Sequence, residues 1–157
     1  LRDAGGRETV TAHLRPRPRV REAQWLAAAG GVTAMMDLSD GLATDLGRLA
    51  EESRVGARVQ LSRLPIAASV HAVAATLGAD ALEWATGGGE DYELLMTCAA
   101  PTFEQLARGL AEATGTTLQA VGEVVPASVG VSFLDAGGTS VAVRAGYEHF
   151  VAGDRRG

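Results

Sequence analysis

Several residue types are scarce or missing in this chain of 157 residues. It contains no lysine and no asparagine, and all 14 of its basic residues are arginine. The absence of lysine excludes a P-loop nucleotide site and a protein-kinase site, because each needs a lysine to bind phosphate. The single cysteine, Cys98, lies in an apolar run. It has no partner for an internal disulfide, it cannot build a thiolate metal cluster, and we expect it to be buried.

Charge and hydropathy exclude two further classes of partner. The net charge is −5, whereas binding to nucleic acid requires a basic surface that displaces counterions from phosphates. Hydrophobic residues make up 46% of the chain and charged residues 21%, which is a globular composition. No apolar run approaches the ~20 residues of a membrane-spanning helix. With neither a signal peptide nor a lipidation box at its ends, the sequence predicts a cytoplasmic protein without nucleic-acid or membrane partners.

The spacing of apolar residues predicts an α+β fold. Helical periodicity and strand-like segments are mixed without a strict βαβ rhythm, which favours a largely antiparallel or mixed sheet with helices packed on one face. A turn at 135–138 predicts a hairpin. The predicted helices are 23–29, 41–53, 67–77, 80–85 and 101–115, and the predicted strands are 32–36, 56–61, 92–98, 118–125, 129–134 and 139–143.

The first 24 residues are polar and rich in arginine and proline. Pro16 and Pro18 restrict the residues before them to extended conformations, so this segment is expected to be an interdomain arm. A single domain would then occupy residues 25–152. The chain starts at Leu1 rather than at a methionine, which indicates a fragment or a processed product.

The sequence MDLSDGL, at residues 36–42, places two carboxylates and a hydroxyl between a predicted strand and a predicted helix. One interpretation is helix capping, which explains Ser39 or Asp40 but not Asp37, the residue that ends the apolar run. The other is that Asp37 and Asp40 bind Mg²⁺, a cation that takes oxygen ligands and bridges carboxylates to phosphates. The three histidines match no zinc spacing, so any metal would need such oxygen ligands. The spacing alone leaves both interpretations open.

Two further segments combine glycine, acids and aromatics. GGGEDYEL, at 87–94, has three glycines, which exceed the need of a helix cap, followed by acids and an apolar strand. GYEHF, at 146–150, is aromatic-rich, which is typical of a packing element. Its Tyr147 could instead stack on a flat heterocycle.

Taken together and in this order, MDLSDGLATDL, GGGEDYELL and GYEHF resemble the C-terminal half of bacterial thiamine-monophosphate kinases. VGARVQLSRLPI at 55–66 and VGEV at 121–124 fit the same resemblance, which extends from about Leu14 to Phe150. That family lies in the superfamily of ATP-using enzymes that includes aminoimidazole ribonucleotide synthetase and selenophosphate synthetase.

The resemblance implies a kinase that transfers the γ-phosphoryl group of ATP directly to thiamine monophosphate, which yields thiamine diphosphate without a phosphoenzyme. It implies that Asp37 and Asp40 bind Mg²⁺ and that Ser39 contacts ATP. It also implies that Glu90 and Tyr147 bind the thiamine monophosphate. No side chain is expected to act as a nucleophile, because phosphoryl transfer needs positioning and charge neutralisation.

The resemblance also implies an N-terminal domain that this chain lacks. In the family that domain holds further metal-binding aspartates, most of the nucleotide site and the contacts of a homodimer. We therefore expect the chain alone to be inactive. Two alternatives remain: a related ATP-dependent synthetase that acts on another small substrate, and a noncatalytic interaction module that keeps the fold.

Overall fold

The computed structural model describes residues 4–144 and residue 146. Within that part of the chain, six α-helices and six strands alternate irregularly, with short 3₁₀ turns at Leu61–Arg63 and Ala127–Val129. The helices are α1 (Ala4–Leu14), α2 (Val20–Ala29), α3 (Leu42–Ser53), α4 (Ala68–Leu77), α5 (Ala81–Gly87) and α6 (Ala100–Thr114). The strands are β1 (Val32–Asp37), β2 (Val55–Gln60), β3 (Leu94–Cys98), β4 (Gly122–Pro126), β5 (Val131–Leu134) and β6 (Ser140–Val141).

The strands form two sheets. Strands β1 and β3 pair antiparallel, with Asp37 opposite Leu94 at one end. The second sheet has the order β4-β2-β5-β6, in which β2 runs antiparallel to β4 and parallel to β5. Strands β5 and β6 form the hairpin expected around residues 135–138. The prediction of an α+β fold with a largely antiparallel or mixed sheet is therefore confirmed.

Helix α3 packs on the four-stranded sheet. Its apolar residues recur at helical spacing, so Leu42 and Leu46 lie on one face and are each only 5% exposed. That face meets Val59 of β2 and Phe133 of β5, both buried. Because α3 begins immediately after the MDLSDGL turn, its burial fixes the position of that turn.

A second core lies between α2, α6 and the two-stranded sheet. Leu26 of α2 packs against Leu106 and Leu110 of α6. Gly109 lets the two helices approach closely, since a Cβ atom there would lie 2.6 Å from the ring of Trp25. Cys98 is half-buried beside this cluster, which is less than the burial expected from its apolar surroundings.

Residues 1–24, which the sequence predicts to be an interdomain arm, are largely helical where the structure describes them, and their role between domains stays a prediction. Helix α1 occupies Ala4–Leu14 and packs against α4, and α2 begins at Val20. Pro16 and Pro18 fall in the short connection between these helices, where they break neither. Packing between helices overrode the polar composition.

The edges of several other predicted elements also changed: β3 begins at Leu94 rather than at residue 92, and β6 covers only Ser140–Val141. Residues 118–121 precede β4 rather than forming its start, because Leu118 packs against the α2 and α6 cluster instead of joining the sheet. Of the helices in the described residues, none combines the length and apolar character needed to cross a membrane.

Candidate functional site

The MDLSDGL and GGGEDYEL segments lie side by side. Beyond the β1 and β3 ladder, the Leu38 N–H donates to the Glu93 carbonyl and the Tyr92 N–H donates to the Leu38 carbonyl, both at 2.8 Å. The Glu90 N–H donates to the Ser39 carbonyl, also at 2.8 Å. Two segments about 50 residues apart in the sequence therefore form one continuous backbone surface.

The glycines of these segments are explained by how closely the backbones approach. A Cβ atom on Gly41 would lie 2.9 Å from the Gly88 carbonyl oxygen, and one on Gly89 would lie 2.7 Å from the Ser39 carbonyl oxygen. Gly41 also has a φ of 100°, which L side chains rarely adopt. Any side chain at these positions would push the two segments apart.

The start of the GYEHF segment reaches the same place. The Gly146 N–H donates to the Thr44 hydroxyl at 2.9 Å, and a Cβ atom on Gly146 would overlap the Asp40 carbonyl. The structure thus brings the beginnings of all three sequence motifs together. Tyr147, the predicted substrate-binding residue, lies outside the described residues.

Asp45, on the first turn of α3, organises the MDLSDGL turn. Its carboxylate is completely buried and accepts the backbone N–H groups of Ser39 and Asp40, each at 2.9 Å. It also lies 3.2 Å from the Arg48 guanidinium. One buried carboxylate therefore satisfies two backbone donors and is partly neutralised by one cation.

The capping interpretation of this turn is wrong for both Ser39 and Asp40. The residue that caps α3 is Gly41, and no side chain accepts a hydrogen bond at the cap. The roles are reversed, since the backbones of Ser39 and Asp40 donate to Asp45. Sequence reasoning missed Asp45, although an acidic residue on the apolar face defined by Leu42 and Leu46 was a usable signal for a buried, hydrogen-bonded carboxylate.

The predicted metal and nucleotide residues lie on this turn. Asp37 is exposed at the end of β1, and Ser39 and Asp40 are half-buried. The Asp40 carboxylate forms an ion pair with the Arg48 guanidinium. Across residues 4–144 and 146, no three His, Cys, Asp or Glu side chains cluster as a metal site would require. The described chain thus offers a pair of carboxylates rather than a complete set of metal ligands.

Glu90 and Tyr92 have backbones in the left-handed region, with φ of 69° and 51°. A non-glycine residue pays about 1–2 kcal/mol for that conformation, and such strain concentrates at functional sites. The exposed Glu90 carboxylate lies 3.8 Å from Nε2 of His13, a contact that solvent screens. The strain on both sides of Asp91 marks this loop as the part of the site most constrained by its neighbours.

Asp91 lies between these two strained residues and faces a cavity beneath α1. Part of its surface is exposed, but the surrounding protein removes enough water to raise the pKa of its carboxyl from 3.8 to about 6. The negative charge of Glu93 raises this pKa further, and His13 lowers it. Asp91 is therefore a carboxyl that titrates close to neutral pH.

Comparison with known proteins gives a consistent result. The family model of the AIR synthase related protein, C-terminal domain, matches residues 2–135. A curated relative, thiamine-monophosphate kinase of Rhodopirellula baltica, is 41% identical over 122 residues, which cover 76% of this chain and 37% of the relative.

Two solved structures have the same fold. The crystal structure of thiamine-monophosphate kinase from Stenotrophomonas maltophilia matches with a TM-score of 0.75 and 34% identity, covering 85% of this chain and 40% of that one. The structure described as AaThiL complexed with AMPPCP and TMP matches with a TM-score of 0.76 and 26% identity, covering 96% and 43%. The chain therefore spans about two fifths of the length of the relatives it matches.

We predict that Asp45→Asn destabilises the fold and loosens the MDLSDGL turn. Both backbone N–H groups donate to the same carboxylate oxygen, so an amide oxygen can still accept them, but without the strength that the negative charge adds. The amide NH₂ would then face the Arg48 guanidinium, donor against donor, and the buried charge that neutralises Arg48 is lost. We expect a loss of about 2–4 kcal/mol in the free energy of unfolding. Urea denaturation measures this loss, and hydrogen exchange should show reduced protection of the Ser39 and Asp40 amides.

The matched control is Glu52→Gln, an exposed position on the same helix. It should change the free energy of unfolding by no more than about 0.5 kcal/mol. Equal stability of the Asp45→Asn variant and this control would show that Asp45 does not hold the turn.

We predict that Asp91→Asn stabilises the protein at neutral pH but not in acid. The pKa of Asp91 is raised on folding, so its charged form is disfavoured in the folded state and the wild-type protein loses stability as the pH rises from about 4 to 6. Because solvent screens this partly exposed group, the expected gain of the variant at pH 7 is only about 1 kcal/mol. Denaturation at about pH 4 and pH 7 tests this, with the exposed Glu104→Gln as control. A gain of the same size at both pH values would contradict the assignment.

Proposed function

The chain belongs to the family of AIR synthase related proteins, and from this membership we propose that it forms the C-terminal part of a kinase. The proposed enzyme uses ATP and Mg²⁺ to convert thiamine monophosphate to thiamine diphosphate by direct phosphoryl transfer. Curated relatives named thiamine-monophosphate kinase support this activity. The neighbour complexed with AMPPCP and TMP supports the use of a nucleotide.

The observation that carries the proposal is the contact between the three motifs. The backbones of these motifs are in contact. The Glu90 N–H donates to the Ser39 carbonyl, and Gly146 lies against the Asp40 carbonyl. Acidic side chains proposed to hold metal and a residue proposed to hold substrate thus lie on one connected surface. Such a surface suits phosphoryl transfer, in which the protein positions two ligands and neutralises charge.

Asp37 and Asp40 are the proposed Mg²⁺ ligands. Mg²⁺ commonly takes one or two protein carboxylates and completes its coordination with water and phosphate oxygens, so this pair fits the donor chemistry. When bound, the metal would neutralise charge on the phosphates of the two substrates. The ion pair between Asp40 and Arg48 competes with the metal, so Arg48 is expected to weaken metal binding.

The remaining residues take positioning roles. Ser39 is proposed to contact ATP, with its backbone fixed by Asp45. Glu90 and Tyr147 are proposed to bind thiamine monophosphate, Glu90 from a backbone that is held in a strained conformation. A backbone that is fixed in this way loses little further entropy when a ligand binds.

Further elements of the proposal concern the whole enzyme. An N-terminal nucleotide-binding domain is proposed to supply the other metal ligands, a homodimer to be the working form and the cytoplasm to be the location. Residues 25–152 are proposed to form the substrate- and metal-binding domain, and residues 1–24 are proposed to be the interdomain arm. The chain alone is proposed to be inactive.

We predict that Arg48→Gln strengthens divalent-metal binding to this chain. Removing the guanidinium takes away a positive charge that competes with the metal for the Asp40 carboxylate, which should tighten Mn²⁺ binding roughly 3- to 10-fold. Asp37→Asn and Asp40→Asn should each weaken it by about tenfold or more. Electron paramagnetic resonance of free Mn²⁺ measures the affinity, with Glu52→Gln as control. If the Asp40→Asn variant kept wild-type affinity, Asp40 would not be a ligand.

We predict that a chimera regains kinase activity. In this chimera the chain replaces the matching part of the Stenotrophomonas maltophilia enzyme. It should form thiamine diphosphate from ATP and thiamine monophosphate, whereas the chain alone should form none. Asp40→Asn in the chimera should lower kcat/KM by roughly 100-fold. A folded chimera that binds ATP but forms no product would count against the kinase, and product from the isolated chain would refute its proposed inactivity.

A further inference from the structure

A cavity of about 560 Å³ lies beneath helix α1, next to the GGGEDYEL segment. It is bounded by α1, by the connection between α1 and α2, and by Asp91 and Glu93. Four arginines and three acidic residues line it. Neither Asp37 nor Asp40 is among the lining residues, so the cavity is distinct from the proposed metal site.

The arginines of this cavity differ in what they already bind. Arg19 is committed to Glu93, with Nη2 to Oε1 at 2.6 Å and Nε to Oε2 at 3.0 Å, so the two charges cancel. Arg15 and Arg17 donate no side-chain hydrogen bond and form no ion pair with any residue in the described part of the chain. Two of the arginines that line the cavity thus have no acidic partner among the residues that the structure describes.

Asp91 does not supply the missing counter-charge. The charges that shift the pKa of its carboxyl are those of Glu93 and His13, and no arginine is among them. The surrounding protein raises that pKa, which disfavours a second negative charge in the cavity. Within residues 4–144 and 146, Arg15 and Arg17 therefore have no acidic partner of their own, even though acids line the same space.

The connection that carries Arg15 and Arg17 is held in place. Helix α1 ends at Leu14 and α2 begins at Val20, so only five residues join two packed helices. Pro16 and Pro18 fix their own φ angles and restrict the arginines that precede them. Both guanidinium groups line the cavity from this short segment. They lose little backbone freedom when they bind a ligand, which favours affinity.

We propose that this cavity binds the phosphate group of a small phosphorylated molecule between Arg15 and Arg17. Guanidinium groups match phosphate oxygens in geometry and bind them through paired charge-assisted hydrogen bonds. The volume is that of a small-molecule site. The acidic residues in its lining and the net charge of −5 disfavour the binding of a polyanion such as nucleic acid. None of Asp37, Ser39, Asp40 and Glu90, which are proposed to bind the kinase ligands, lines this cavity.

Isothermal titration calorimetry with inorganic diphosphate, on the 157-residue chain without divalent metal, tests this proposal. The double variant Arg15→Gln and Arg17→Gln should bind about tenfold more weakly or worse. Arg21→Gln, an exposed arginine on α2 that does not line the cavity, should bind like the wild type. Asp91→Asn should bind several-fold more tightly, because it removes a negative charge from the lining. Thermal melting confirms that each variant is folded.

Three results would overturn the proposal. They are no binding of either diphosphate or thiamine monophosphate by the wild-type chain, an equal loss in Arg21→Gln and in the double variant, and weaker binding by Asp91→Asn. Titrations with thiamine monophosphate and with unphosphorylated thiamine identify the source of the phosphate. Binding of the monophosphate alone, lost in the double variant, would assign the site to that ester, whereas binding of diphosphate alone would assign it to a free anion. Since no turnover is measured, failure of the proposed kinase activity leaves this test unaffected.

Discussion

The buried carboxylate of Asp45 is the interaction on which the candidate site depends. It accepts the backbone N–H groups of Ser39 and Asp40 and forms an ion pair with Arg48, so it fixes the turn between β1 and α3 from within. A buried carboxylate is stable only when its partners compensate for the lost hydration, so removing one partner destabilises the whole turn. The hydrogen bonds of Asp45 therefore set the positions of the residues that are proposed to bind metal and nucleotide.

The second constraint is the close approach of backbones at the same place. Glycines at 41, 89 and 146 meet neighbouring carbonyl groups at distances that exclude a Cβ atom. These glycines cost conformational entropy on folding, and the strained backbone of Glu90 adds to that cost. Packing of α3 on the four-stranded sheet and of α2 and α6 on the two-stranded sheet offsets it. The site is thus a strained surface held by two ordinary hydrophobic cores.

Arginine supplies every positive side-chain charge of this lysine-free chain apart from histidine, and it acts in two different ways near the site. Arg48 and Arg19 are committed to carboxylates, which fixes the MDLSDGL turn and the end of the GGGEDYEL segment. Arg15 and Arg17 line a cavity and have no such partner in the part of the chain that the structure describes. A planar group that stays charged at any physiological pH suits both purposes, because it can hold a carboxylate in place or receive a phosphate.

The sequence by itself determined the α+β fold, most helices and strands and the membership in a family, because apolar periodicity and short motifs are local properties of the chain. It identified the residue types of the site, whereas their roles toward metal, ATP and thiamine monophosphate stay predictions. Tertiary structure alone decided that residues 4–14 are helical, that Asp45 rather than Ser39 or Asp40 makes the stabilising hydrogen bonds, and that Arg48 faces Asp40. The helix at residues 4–14 depends on packing against the distant helix α4. The contacts of Asp45 and Arg48 are close in sequence but depend on burial, and no local pattern specifies which buried carboxylate meets which donor.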